Sequence, residues 1–146
     1  MSGEKFMIAD LNLVRSWIFD KNKKASILKE MMENGEIPLM IPETIKFEIC
    51  RAILGLKAPV DVLKRLVELV TEYIEFFTIK VDGQVLSEAV EIYKNLKNVD
   101  FATAVCLATA KNLRKACITT DHKLADYLRE NGYNVLTVDE VIHTLK

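Results

Sequence analysis

Asp10, Glu48, Asp100 and Asp121 lie far apart in the chain, yet each stands where a short apolar run gives way to a helical pattern or where a helical pattern begins. Acids in such places have two readings. Singly, Asp10, Asp100 and Asp121 could cap helices by accepting backbone N–H bonds, and Glu48 could be a solvated helix residue. Brought together, four carboxylates repel one another, and without compensation their pKa values rise and stability falls. A divalent cation supplies that compensation. An all-oxygen donor set without His or Cys suits Mg²⁺ or Mn²⁺ better than zinc. The chemistry such sites serve is phosphoryl transfer or phosphodiester hydrolysis.

Whether the acids can meet depends on the elements that carry them. KFMIAD is a short apolar run ending in Asp10, and NLVRSWIFD and KNKKASILKEMMENG follow it with apolar residues at helical spacing. IPLMIP reads as a buried strand between prolines, ETIKFEICRAILG and PVDVLKRLVELVTEYI as helices, and EFFTIKV as a third strand. QVLSEAVEIYKNL and the Ala-rich DFATAVCLATAKNLR are helical, KACITT is a fourth strand, HKLADYLRENG a helix, YNVLTV a fifth strand and EVIHTLK a closing helix. Strands alternating with helices indicate an α/β fold, a five-stranded parallel sheet with helices on both faces. Because helices outnumber strands, two crossovers are expected to hold helix pairs. In such a sheet the ligand crevice lies beyond the carboxyl ends of the strands. Asp10 ends the first strand and Asp121 follows the fourth, while Asp100 begins the helix that returns to the fourth and Glu48 lies on the helix leaving the second. All four are expected at one edge.

The bulk properties set the frame. A chain of 146 residues, half of them hydrophobic, matches one domain spanning 1–146 with enough core to fold without a structural metal or disulfide. Its 20 basic and 21 acidic residues nearly cancel, so nucleic-acid binding would have to come from a local patch. The opening MSGEKFMIAD has no signal-peptide pattern and no stretch has the length to span a bilayer, which points to the cytoplasm and away from the membrane. Cys50, Cys106 and Cys117 lack a C-x-x-C spacing, sit in apolar surroundings and read as small buried thiols.

The order IADLN, TIKFEICRAI, VDFATAVCLATA and ITTDHKLADYL resembles the acidic pattern of PIN domains over essentially the whole chain, most like the small toxin-type PIN nucleases of prokaryotic toxin–antitoxin systems. The resemblance implies a three-layer α/β/α fold and a Mg²⁺- or Mn²⁺-dependent endoribonuclease, with Asp10, Glu48, Asp100 and Asp121 as catalytic and metal-binding acids. Asn12 matches the polar residue that positions the first Asp, and Thr119 the Ser or Thr two places before the last acid. Leu11 departs from the common Thr or Ser between Asp and Asn. RNA is the implied substrate and an antitoxin the implied partner. Small PIN domains often pair, and PVDVLKRLVELVTEYI carries more apolar residues than one buried stripe requires, so a homodimer is expected; the alternative places this helix deep in the core.

Arg15, Arg51 and Lys123 lie near the acids in sequence, and Lys21, Lys23 and Lys24 form a basic run. They read either as a solvated face or as a rim for substrate phosphates. His122 and His143 read as surface residues, whereas Trp17, Phe47, Phe76 and Phe77 read as core or interface residues, able to stack bases only if exposed. A receiver domain would need a Lys that LTVDE lacks, a haloacid-dehalogenase-like phosphatase would want Asp-x-Asp where this chain has Asp-Leu-Asn, and no Gly-rich loop supports a nucleotide-binding Rossmann module. The remaining rival is a PIN-like scaffold that binds RNA or a protein without cutting.

Overall fold

A computed structural model describes residues 6–20 and 22–145. Strands β1 (Met7–Ala9), β2 (Leu39–Pro42), β3 (Thr78–Ile79), β4 (Cys117–Thr119) and β5 (Val135–Thr137) form one sheet in the order β3-β2-β1-β4-β5, every pairing parallel. Its helices are α1 (Leu11–Phe19), α2 (Lys23–Glu33), α3 (Ile45–Leu54), α4 (Val60–Glu75), α5 (Gly83–Asn95), α6 (Phe101–Leu113), α7 (His122–Glu130) and α8 (Val138–Leu145). Three crossovers hold helix pairs instead of the expected two, because α1–α2, α3–α4 and α5–α6 all fall between strands and only α7 bridges β4 and β5 alone.

Alternation along the strands builds two cores. Ala9, Leu39, Ile41 and Ile118 face a layer formed by α1 to α4 with α8, while Ile8, Cys117 and Val135 face α5, α6 and α7. A side-chain period of two puts successive strand residues on opposite faces, so both sides of these short strands are buried. The near-uniform apolar character of α6 follows: Ala104, Val105, Leu107 and Ala108 are all buried, and small side chains let this helix lie close against the sheet. Among the described residues, side-chain caps start six helices. Asp10, Asn22, Asp82, Asp100, Asp121 and Thr137 each accept a bond from the backbone N–H three residues on, each cap worth about 1 kcal/mol. Gly35 and Gly132, at φ 75° and 89°, end α2 and α7 where the sequence placed helix stops.

Some expectations change. Cys106 on α6 and Cys117 on β4 are both buried, as expected, but they are joined in a disulfide and are not separate thiols. Sequence spacing could not show this, since only the packing of α6 on β4 brings the two together. Cys50 remains free and partly exposed. Helix α4 is not deep in the core: Ile74 alone among its residues is buried, while Val60, Val62 and Leu69 are exposed. Phe47 and Phe76 are likewise outside the core, 67% and 82% exposed, whereas Trp17 and Phe77 pack against it. Trp17 also donates its indole N–H to the Ala25 carbonyl at 2.8 Å, fastening α1 to α2. Of the basic run, Lys21 lies outside the described residues.

The Cys106–Cys117 bond closes a loop with a sequence separation of 11, for which the loss of chain entropy in the unfolded state is worth about 3 kcal/mol. Urea unfolding with and without dithiothreitol is expected to differ by about that amount, and equal midpoints would show that the bond adds nothing to stability.

Candidate active site

The strand order reverses between β1 and β4, and the two acids that follow those strands stand at this switch point. Asp10 continues the β1–β4 pairing through its own N–H, which bonds the Ile118 carbonyl at 3.1 Å. Its side chain accepts from Leu13 N–H at 2.8 Å and caps α1. Capping does not require burial, for Asp82 caps α5 at 2.9 Å from an exposed position. Asp10 is only 2% exposed.

That burial dominates its electrostatics. Removal from water pushes the Asp10 carboxyl up to about 7, and the nearby Asp100 charge adds to the rise, against the opposing bonds from Thr119, Leu13 and Asn12. Thr119 is itself buried and ties two acids together: its hydroxyl bonds the Asp10 carboxylate and its oxygen accepts the Asp121 N–H at 3.2 Å. Asn12, half-buried in the first turn of α1, adds its side-chain bond to Asp10. The two polar residues named beside the acids in the sequence thus both contact Asp10.

The other acids differ in setting. Asp100 is exposed, caps α6 through Thr103 N–H at 2.8 Å and is close enough to Asp10 to raise it. Asp121, also exposed, caps α7 through Leu124 N–H at 3.0 Å. Glu48 lies in the first turn of α3, just beyond the carboxyl end of β2, with Arg51 3.7 Å away. Arg15 and Lys123 are exposed. Capping does not by itself exclude a second role for Asp10, Asp100 or Asp121, since one oxygen can serve the helix and leave the other free. Among the described residues, however, no three carboxylate, His or Cys groups come close enough together to hold an ion as they stand. The close pair is Asp10 and Asp100.

A two-carboxylate, all-oxygen pair fits a hard cation that uses few protein ligands, as Mg²⁺ does, and a positive charge there would relieve the cost of ionising Asp10 in a buried position. Sequence reasoning passed over Asp139, whose carboxylate lies 3.0 Å from His122 Nε2, next in chain to Asp121, and 2.7 Å from Lys24 Nζ. Nothing in its spacing marked it out. A cavity of about 460 Å³ lies away from these acids, between the C-terminal ends of α6 and α7 and the start of β5, and is lined by Leu107, Lys111, Arg114 and Tyr133 among others.

The chain belongs to the PIN-domain family, a family of nucleases: the family model matches residues 9–130, which take in all four acids. PIN nucleases generally use divalent metal ions. Comparison with curated protein sequences finds no match. Among solved structures, the chain resembles a toxin–antitoxin complex from Klebsiella pneumoniae at 17% identity and TM-score 0.63, covering 90% of this chain and 97% of that one. It also resembles VapBC2 from Rickettsia felis bound to a promoter DNA fragment, at 9% identity and TM-score 0.66, covering 90% and 98%. A third similar structure is VapBC-5 of Mycobacterium tuberculosis, a member of a toxin–antitoxin family, at 14% identity and TM-score 0.57, covering 90% and 96%. Identities this low establish the shared fold.

The raised Asp10 carboxyl sets a pH dependence in the metal-free protein. Its folded pKa of about 7 exceeds the ordinary value of 3.8, so the unfolded chain gives up its proton first. The contribution of Asp10 to stability is therefore greatest below about pH 4 and falls as pH rises toward 7, by up to about 4 kcal/mol. Asp10→Asn keeps a capping oxygen without the charge. In chelator, the difference in stability between Asp10→Asn and the parent should grow in the variant's favour from pH 4 to 7, measured by urea unfolding. A difference independent of pH would show that Asp10 ionises normally.

Proposed function

We propose that the protein is a Mg²⁺- or Mn²⁺-dependent endoribonuclease that hydrolyses single-stranded RNA and acts in the cytoplasm as the toxin of a toxin–antitoxin pair. The observation that carries this reading is the buried Asp10 carboxyl, held by Thr119 and Asn12 with the Asp100 charge nearby, at the switch point of a parallel sheet. Capping α1 does not require this burial, and a bound cation would use it. Family membership supports the nuclease, and the toxin–antitoxin systems among the similar structures support an antitoxin partner. No helix among the described residues is long and apolar enough to cross a membrane.

In this reading Asp10 and Asp100 hold the cation, and Glu48 and Asp121 complete the site or orient water. When bound, the cation supplies Lewis acidity and neutralises charge developing on the phosphate. Thr119 fixes the Asp10 carboxylate and, through the Asp121 backbone, the start of α7. Arg51, 3.7 Å from Glu48, is placed to meet a substrate phosphate. Water attacks phosphorus in line with the departing 3′-oxygen, leaving a 5′-phosphate, while Arg15 and Lys123 bind neighbouring phosphates of the strand. A PIN-like scaffold that binds RNA or a protein without cutting is the second reading; the buried Asp10 carboxyl with the Asp100 charge nearby favours the nuclease.

The α3–α4 pair supports a homodimer. Leu54, Leu56, Val60, Val62 and Leu69 are exposed along it, and an apolar groove of about 390 Å³ runs between Leu54, Val60, Leu63 and Val67. A contiguous apolar face of this kind marks an association surface. We assign it to a second copy of the chain. Light scattering at micromolar concentration should report a dimer, and a monomer would reject the assignment.

Cleavage of a labelled single-stranded RNA tests the main proposal. The purified protein should cut with Mg²⁺ or Mn²⁺ and stop with chelator, and Asp10→Asn should lose the metal-dependent activity while remaining folded. Thr119→Val, which removes the hydroxyl that holds Asp10, should lower activity by about 10- to 100-fold. Equal activity in the parent and Asp10→Asn, or cleavage that survives chelation, would exclude the proposed mechanism.

A further inference from the structure

Three helices that are remote in sequence bring one carboxylate and two nitrogen donors together beside Asp121. Lys24 is the second residue of α2, His122 the first of α7 and Asp139 the second of α8. The two oxygens of Asp139 divide between the donors: Oδ1 lies 2.7 Å from Lys24 Nζ and Oδ2 3.0 Å from His122 Nε2. Both donor side chains are 63% exposed. An ion pair in so much water adds little to stability, so the fold itself has small need of the arrangement. Lys24 uses one of its three N–H groups on Asp139 and keeps two, while His122 gives its Nε2–H to the other oxygen of Asp139.

The surroundings add positive charge. Lys23 and Lys123, each one residue from the group, are exposed. The next acid along α8, Glu140, is taken up by Arg129 at 2.8 Å and by the Thr137 N–H at 2.8 Å. A small cavity of about 140 Å³ opens between Lys24, Asp139, Ile142 and His143. His122 directly follows Asp121, so the group stands beside one of the four acids.

We propose that Lys24, set by Asp139, which His122 fixes from its other oxygen, clamps a phosphate of the RNA backbone on the α7–α8 side of the acidic crevice. Asp139 and His122 are positioning residues that touch no substrate. The effect of Asp139 on binding separates this role from simple charge: removing an acid near a polyanion should tighten binding if Asp139 only repels, and should weaken it if Asp139 holds Lys24 in place.

The inference rests on the nuclease reading, and the experiment keeps the two apart. Binding of a 5′-fluorescein-labelled single-stranded oligoribonucleotide is followed by anisotropy across a salt series, in an Asp10→Asn background that leaves the RNA intact. Metal-dependent cleavage by the parent is measured alongside. Lys24→Ala should weaken binding and reduce the slope of log K against log salt by about 0.7, the contribution of one single-strand phosphate contact. Asp139→Ala should weaken binding even though the protein becomes less negative, and Asp139→Asn, which keeps an acceptor oxygen, should restore most of it. Lys111→Ala, near the α6 C-terminus, should leave the slope unchanged. An unchanged slope in Lys24→Ala, or tighter binding in Asp139→Ala, would overturn the clamp while cleavage by the parent still upheld the nuclease. A parent that neither binds nor cuts the RNA would overturn both.

Discussion

The bond between the Thr119 hydroxyl and the buried Asp10 carboxylate joins the two strands on either side of the switch point. Asp10 closes β1 and Thr119 closes β4, and the same hydroxyl oxygen receives the Asp121 N–H that begins the turn into α7. One hydroxyl thus sets the relation between two of the acids and the starts of two helices. A carboxyl removed from water is costly in its charged form. The bonds from Thr119, Leu13 and Asn12 reduce that cost without cancelling it, which leaves an ionisation that a bound cation can complete.

The rest of the architecture serves this point. Parallel pairing puts every strand's carboxyl end at one edge, α6 starts at that edge with Asp100 as its cap, and the disulfide ties the middle of α6 to β4. Burial of both sheet faces holds the short strands in register, for a slip by one residue would turn Ile8 and Ala9 to the wrong cores. In a reducing cytoplasm the Cys106–Cys117 bond would tend to open, and the packing of Ala104, Val105 and Ala108 would then hold α6 in place.

Much of this was legible in the sequence because local patterns carry it. Short apolar runs ending at Asp10 and Pro42 mark strands, Gly35 and Gly132 mark helix ends, and the place of each acid at a strand or helix boundary follows from the resulting order of elements. The parts that were not legible depend on contacts between distant residues. The Cys106–Cys117 pairing and the Asp139 bonds to Lys24 and His122 exist only once α6 lies on β4 and α2, α7 and α8 meet. The helix count of the crossovers was misjudged although each helix was placed. Exposure of Phe47 and Phe76 escaped notice for a related reason: periodicity shows an apolar face, and only tertiary packing shows whether anything covers it. The order of elements put the four acids at one edge and the family resemblance gave them one role, while the structure shows a buried Asp10 with the Asp100 charge nearby, an Asp121 linked to it through Thr119 and a Glu48 beside Arg51.

Carbon-13 NMR of the Asp10 side-chain carboxyl, titrated with and without Mg²⁺, tests the central claim most directly, with Asp10→Asn used to assign the resonance. The account predicts a pKa of about 7 in chelator and a marked fall when Mg²⁺ is added. A pKa near the ordinary value of 3.8 in chelator, or a raised value that Mg²⁺ does not move, would contradict it.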